Sequence, residues 1–419
     1  MSVFKYSKRD CVLTYLGLAF LLSDIGLDIW TAVSFYQEEE YLYLGILILF
    51  LVGSSVLGQA FSWLWYSYDN FERLTKVERC LSPRQLKVLH FLQLGTYFRH
   101  AGVVELTSCS CITKTRDPVD AAVFLTHDLS MLRLFEAFSE SAPQLVLMLT
   151  IMLRQGQLDT LTVLKAIASA SAIAFSVTVY HSSLRSFLPE KKKQRPISAL
   201  IYFTWTLLLI ASRLAAVALF ASVLPCFIFT HFICSWLLLF FCAWRSKTEL
   251  MDGPGGELLY QASVGLIWYF NWFTVVEGRT RYKLLFYHIF ILLDMSLMCG
   301  LWCWRTHTRQ PLPFKIPLFY ACLTGVSVVG LYILGLILKI IYYKCYHPNL
   351  NKEDLKGDAS STTEKGGVFS ARNLALEDSV PRFCDRSHVG EDLPDGAVAQ
   401  ADSKLYNKRM RKLAENFFS

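Results

Sequence analysis

Eight apolar stretches long enough to cross a bilayer constrain this chain more than any other feature. They lie at about residues 11–35, 41–66, 121–153, 160–183, 197–222, 226–245, 284–304 and 315–343. A hydrocarbon core ~30 Å thick takes about 20 apolar residues as a helix. Every backbone polar group inside it must also bond within the protein. The expected fold is therefore an all-α polytopic membrane protein with about eight transmembrane helices. Two further apolar segments, about 88–104 and 258–276, are short. Arg99 and His100 interrupt the first, and Asn271 and Glu277 the second. They read as half-spanning or re-entrant helices. Composition agrees, with 53% hydrophobic and 18% charged residues, where a soluble domain carries about 25% charged. That excludes an ordinary soluble enzyme, a disordered chain and a disulfide-rich secreted module.

Loop charges give the expected orientation. The basic loops run from Lys5 to Arg9, Arg73 to Lys87, Arg185 to Arg195, Arg245 to Lys247 and Arg279 to Lys283; the acidic loop is Glu38 to Glu40. If the two short helices do not cross, each of these basic loops shares a side with both termini. The positive-inside rule then places both termini in the cytoplasm. The first apolar stretch is too long for a cleavable signal peptide. Two spans, a half helix and two spans fill 11–183, and the same order fills 197–343, the pattern of two parallel repeats. Residues 1–347 thus form a membrane body.

From Pro348 to Ser419 the chain is polar, with 11 basic and 12 acidic residues. Residues 348–401 read as a disordered cytoplasmic linker. In 402–419 an amphipathic helix is expected. Leu405, Tyr406, Met410, Leu413 and Phe417 share one face, and Lys404, Lys408, Arg411 and Lys412 the other. Such a helix either lies on the anionic inner leaflet or docks in the cytoplasmic mouth of the body and blocks it. Between body and helix sits Asp392-Leu393-Pro394-Asp395-Gly396, the Asp-x-x-Asp-small pattern that executioner caspases cut. Asp358 before Ala359 is a poorer second site.

Ionisable residues inside membrane spans are costly and mark function by default. In the first span Asp10, Asp24 and Asp28 lie within about 40° of one another on a helical wheel, and Thr14, Gly17 and Thr31 widen that stripe. From Asp10 to Thr31 it covers roughly 32 Å, the depth of a bilayer. In the span 121–153, Asp128, Arg133, Glu136, Glu140 and Gln144 share one broad sector. Arg133 is spaced to pair with Glu136, and Pro143 is expected to kink the helix. Lys165, Arg213 and Asp294 are isolated charges in other spans, and Lys339 reads as snorkelling to the surface. The bland alternative is that these charges pair and only fix helix register.

The chain has no Walker phosphate loop, no Gly-x-Ser-x-Gly elbow and no His-Glu-x-x-His zinc motif. Its 12 cysteines lack metal-ligand spacing. No cofactor, metal or nucleic acid is expected, and transport would be passive or ion-driven. Gly253-Pro-Gly-Gly256 reads as a turn.

Several stretches resemble the XK-related family of membrane proteins. They are Ser23-Asp24-Ile25-Gly26-Leu27-Asp28, Phe61-Ser62-Trp63-Leu64-Trp65, Asp128 through Glu136, Ala142-Pro143-Gln144-Leu145, Val276 through Arg281, Tyr342-Tyr343 and His347-Pro348. The closing Arg409 to Phe418 resembles the family's caspase-activated member. The resemblance implies a plasma-membrane phospholipid scramblase. It would expose phosphatidylserine in dying cells without ATP, once an executioner caspase removes the C-terminal segment. It also implies a single-span immunoglobulin-type glycoprotein partner, basigin or neuroplastin. One departure is Val179-Tyr180-His181, where similar proteins carry an acid before the Tyr-His; Ser182 is a second.

On this reading Asp10, Asp24 and Asp28 form one wall of a headgroup track, and Asp128, Arg133, Glu136 and Glu140 another. Arg213 holds the phosphate in passing, and Tyr43 gates the exit. The rivals are an ion channel or secondary transporter using the same carboxylates, and a non-transporting membrane adaptor.

Overall fold

The computed structural model describes residues 8–346 apart from 70–72, 74, 113–115, 157–159, 188–193, 247, 249, 275–279 and 310–316. The linker, the cleavage sites at Asp358, Asp392, Asp395 and Gly396, and the terminal helix with Leu405, Met410, Leu413 and Phe417 lie outside the described residues. Among the described residues every regular element is helical. In order they are α1 (Lys8–Gln37), α2 (Tyr41–Tyr68), α3 (Lys76–Arg79), α4 (Pro83–Phe91), α5 (Gly95–Ile112) and α6 (Arg116–Glu136). A π turn (Ala137–Ser141) leads into α7 (Ala142–Gln155). Then come α8 (Thr160–Phe187), α9 (Pro196–Val223), α10 (Pro225–Arg245), α11 (Pro254–Phe270), α12 (Thr280–Arg309) and α13 (Leu318–Ile341).

Seven of these, α1, α2, α8, α9, α10, α12 and α13, are long and apolar enough to cross a membrane. The eighth expected span, 121–153, is helical throughout, but the π turn splits it. Its first part carries Asp128, Arg133 and Glu136, and its second has only 14 residues, so neither half stands alone as a long apolar helix.

The two short segments also differ from expectation. Residues 88–104 contain parts of two helices. A capping box between Ser82 and Gln85 starts α4. The chain then reverses through Gln93, which adopts φ 64°, and α5 begins at Gly95. A Cβ at Gly95 would sit 2.5 Å from the His90 ring, so only glycine fits. The Pro/Gly turn expected at 253–256 is instead the start of α11. Pro254 occupies its first turn, where a missing N–H leaves nothing unpaired. The helix ends at Phe270, earlier than the pattern implied.

The core is organised around α9. It packs against α7, α8, α10, α12 and α13. Its small buried residues Ser212, Ala216, Ala218, Ala221 and Ser222 allow the close helix approach that membrane packing needs. Elsewhere the helices turn large apolar side chains outward, including Leu237, Leu238 and Phe241 on α10 and Leu323, Val326 and Ile337 on α13. That is the surface a lipid solvent accepts.

Candidate functional site: a polar cleft along the first helix

The π turn gives the site its shape. Pro143 has no N–H to give to the carbonyl one turn earlier, and its ring crowds that carbonyl. The Ala142 N–H bonds instead to the Ala137 carbonyl, five residues back. Such bulges occur often at functional sites. Here the extra residue lies between Glu136 and Gln144, and both side chains face α1.

Three clefts follow α1. The first, about 1140 Å³, is lined by Asp10, Thr14, Gly17 and Asp24 of α1 and by His100, Ser130, Arg133, Glu136 and Ser182 of α5, α6 and α8. The second, about 1060 Å³, lies on the other flank, between Asp24 and Asp28 and Ser54, Tyr97, Glu136 and Glu140. The third, about 510 Å³, holds Asp24, Asp28, Thr31, Gln144 and Lys165. Asp24 lines all three, so the polar stripe on α1 is bordered by open space from Asp10 to Thr31.

The acids are held in place. Arg133 Nη1 lies 3.7 Å from Glu136 Oε2, and Arg133 Nη2 donates to the Gly17 carbonyl. The Ser141 hydroxyl donates to Asp24 Oδ2 at 3.3 Å. The Gln144 amide donates to Asp28 Oδ1 at 2.6 Å. Carboxylate oxygens of Asp24, Glu136 and Glu140 lie within 4.8 Å of one another, a set of hard oxygen ligands suited to a divalent cation. Thr14 and Thr31 bond back to the Asp10 and Leu27 carbonyls, which satisfies their hydroxyls inside the helix.

At the Thr31 end the stripe closes against an apolar cap of Phe35, Leu47 and Ile151. Tyr43 packs on that cap, its ring 6.1 Å from that of Phe35. Val179 and Ser182 both line the first cleft, which is less polar on that side.

Two expected track residues are elsewhere. Asp128 points to α5, 3.6 Å from Arg99. Arg99 also donates to the Ser62 hydroxyl at 2.7 Å and stacks 3.9 Å from the Tyr66 ring. Arg213 is buried between α9 and α12, its Nη1 2.6 Å from Asp294 Oδ2. His231 Nε2 takes the other Asp294 oxygen at 2.9 Å. Neither Asp128 nor Arg213 lines any of these three clefts. Lys339 does not snorkel. It is buried, with Nζ 3.0 Å from His288 Nε2 and 4.9 Å above the Trp205 ring. His100, Ser54, Tyr97, Ser141 and Lys165 line the clefts without having been assigned to the track. Of these, Lys165 carried a sequence signal as an intramembrane charge, and His100 as a break in the 88–104 apolar segment.

A helical multi-pass body with a carboxylate-lined cleft along one helix defines a polytopic membrane protein that keeps acidic side chains among its helices. The family model described as XK-related protein matches residues 12–348. A protein named XK-related protein 8 from Tetraodon nigroviridis is 39% identical over 423 residues, covering 100% of this chain and 98% of the relative. Namesakes from Gasterosteus aculeatus and Pan troglodytes are 38% and 36% identical over 424 and 416 residues, covering 99% and 98% of this chain and 98% and 94% of the relatives. The chain belongs to the XK-related family.

Proposed function

We propose that this protein is an ATP-independent phospholipid scramblase of the plasma membrane, and that the clefts along α1 carry the lipid headgroup. The carrying observation is that Asp10, Thr14, Asp24, Asp28 and Thr31 of α1 all line these clefts. A charged headgroup at the bilayer centre costs several kcal/mol or more. Carboxylates take its ammonium, Arg133 and the hydroxyls take its phosphate, and the acyl tails stay in lipid. Kinship with proteins named XK-related protein 8 supports the same reading. So does the family resemblance of the tail, which carries the caspase pattern ending at Asp395. Cleavage there releases an inhibitory terminal helix and exposes phosphatidylserine in apoptosis. A single-span glycoprotein of the basigin or neuroplastin kind accompanies the body to the surface.

The test is lipid scrambling in liposomes by intact protein, protein cut by caspase-3, and Asp395→Ala treated with the same caspase. Cut protein should scramble, and the other two should stay silent. Scrambling that is equal before and after cutting would remove the plug from the scheme. A cation channel is favoured by one observation, the three carboxylates within 4.8 Å. Ion flux measured on the same liposomes separates it, since a scramblase moves lipid without a matching monovalent current.

A further inference from the structure

We infer that His100 donates a hydrogen bond to the lipid phosphodiester where the two larger clefts along α1 adjoin. The inference rests on the headgroup-track reading above. The clefts of about 1140 and 1060 Å³ share three lining residues, Asp24 of α1, His100 of α5 and Glu136 of α6. All three are ionisable, and each comes from a different helix. A headgroup that moves from the Asp10 end of the stripe to the Asp28 end passes them. Local packing aims the imidazole there. Arg99, the residue before, is anchored by the Ser62 hydroxyl at 2.7 Å and by Asp128 at 3.6 Å. A helix turns 100° per residue, which leaves His100 to face the clefts.

The two acids at this point are already held. Asp24 accepts from the Ser141 hydroxyl at 3.3 Å, and Glu136 lies 3.7 Å from Arg133. His100 is only 9% exposed, yet among the described residues it has no hydrogen-bond partner. A buried polar group without a partner is costly, and a ring that lines two clefts is satisfied by what enters them. The chemistry selects which part of the headgroup it meets. Asp24 and Glu136 suit an ammonium and repel a phosphate. An imidazole keeps an N–H donor in either charge state, so it can hold a phosphate oxygen between two acids that cannot. Every glycerophospholipid carries that phosphodiester, so the contact serves phosphatidylcholine and phosphatidylserine alike.

The experiment has two readouts on caspase-treated protein. The first is scrambling of acyl-labelled phosphatidylcholine and phosphatidylserine in liposomes by wild type, His100→Leu and His100→Gln. Monodisperse elution shows that each variant folds. His100→Leu should lower both rates about tenfold, the effect of one charge-assisted hydrogen bond, and leave their ratio unchanged. His100→Gln, whose amide also donates, should stay within about threefold of wild type. The second readout is carbethoxylation of His100 by diethyl pyrocarbonate in maltoside detergent, followed by peptide mass spectrometry. Short-chain phosphatidylcholine should suppress the labelling, and neither the matching diacylglycerol nor inorganic phosphate should. Wild-type rates from His100→Leu, equal losses in both variants, or protection by the diacylglycerol or by inorganic phosphate would overturn the inference. So would labelling that is absent without lipid or indifferent to phosphatidylcholine, and scrambling by wild type would then still stand. If wild type scrambles neither lipid while phosphatidylcholine protects His100, the transport reading fails and the contact stands. If neither readout responds, both fail.

Discussion

Replacing Arg213 with methionine separates a structural cation from a transport cation. Arg213 is 1% exposed. Its Nη1 meets Asp294 Oδ2 at 2.6 Å, its Nε donates to the Tyr269 carbonyl at 3.1 Å, and its guanidinium stands 4.9 Å over the Tyr269 ring. Asp294 keeps His231 Nε2 at 2.9 Å, and His231 Nδ1 is 3.1 Å from the Tyr269 hydroxyl. The network therefore joins α9, α10, α11 and α12. Removing one partner of a buried ion pair leaves a charge without its counter-ion and costs about 3–5 kcal/mol. Removing both partners for apolar groups of similar size is about neutral. Arg213→Met should lower the thermal midpoint of the purified protein in detergent by many degrees. The double variant Arg213→Met with Asp294→Leu should recover most of the loss. Midpoints followed by size-exclusion decide it. A single variant as stable as wild type, or a double variant no better than the single, would refute the reasoning. Wild-type stability with lost lipid flux would return Arg213 to the track.

Pro143→Ala should close the π turn into ordinary helix, since alanine is favoured over proline by about 3 kcal/mol in a helix interior. Loss of the extra residue turns Glu136 about 100° relative to Gln144, so lipid flux should fall while the thermal midpoint holds or rises. Gly265→Ala would place its Cβ 2.9 Å from the Phe240 backbone nitrogen, and the overpacking should cost about 1–3 kcal/mol. Gly335→Ala meets instead the Leu209 Cδ2 at 2.8 Å, the end of a side chain that can rotate. Its midpoint should fall less than that of Gly265→Ala.

The stripe on α1 was legible because helical spacing alone puts Asp10, Asp24 and Asp28 on one face. Glu136, Glu140 and Gln144 were legible for the same reason, and the expected Arg133–Glu136 pair is present at 3.7 Å. Asp128 shares a broad sector with the acids of its helix, but that sector spans two faces. It lies about 80° round the helix from Glu136, and its partner Arg99 sits on a helix whose position no local pattern reveals. Arg213 misled for a similar reason: Asp294 is 81 residues away, and only tertiary packing brings the two together. Lys339 looked peripheral because it lies near a helix end. His288 and Trp205 hold its ammonium inside the bundle. The break between α4 and α5 depends on the fit of Gly95 against His90, which hydropathy does not register.

The most direct measurement is scrambling by caspase-cut protein in which Asp24 and Asp28 are both leucine, read as dithionite access to acyl-labelled lipid in liposomes. Wild type should expose inner-leaflet label. The double variant should fall to the protein-free background, since losing several kcal/mol of headgroup stabilisation slows crossing at least about 100-fold. Wild-type rates from a monodisperse double variant would contradict a headgroup path along α1.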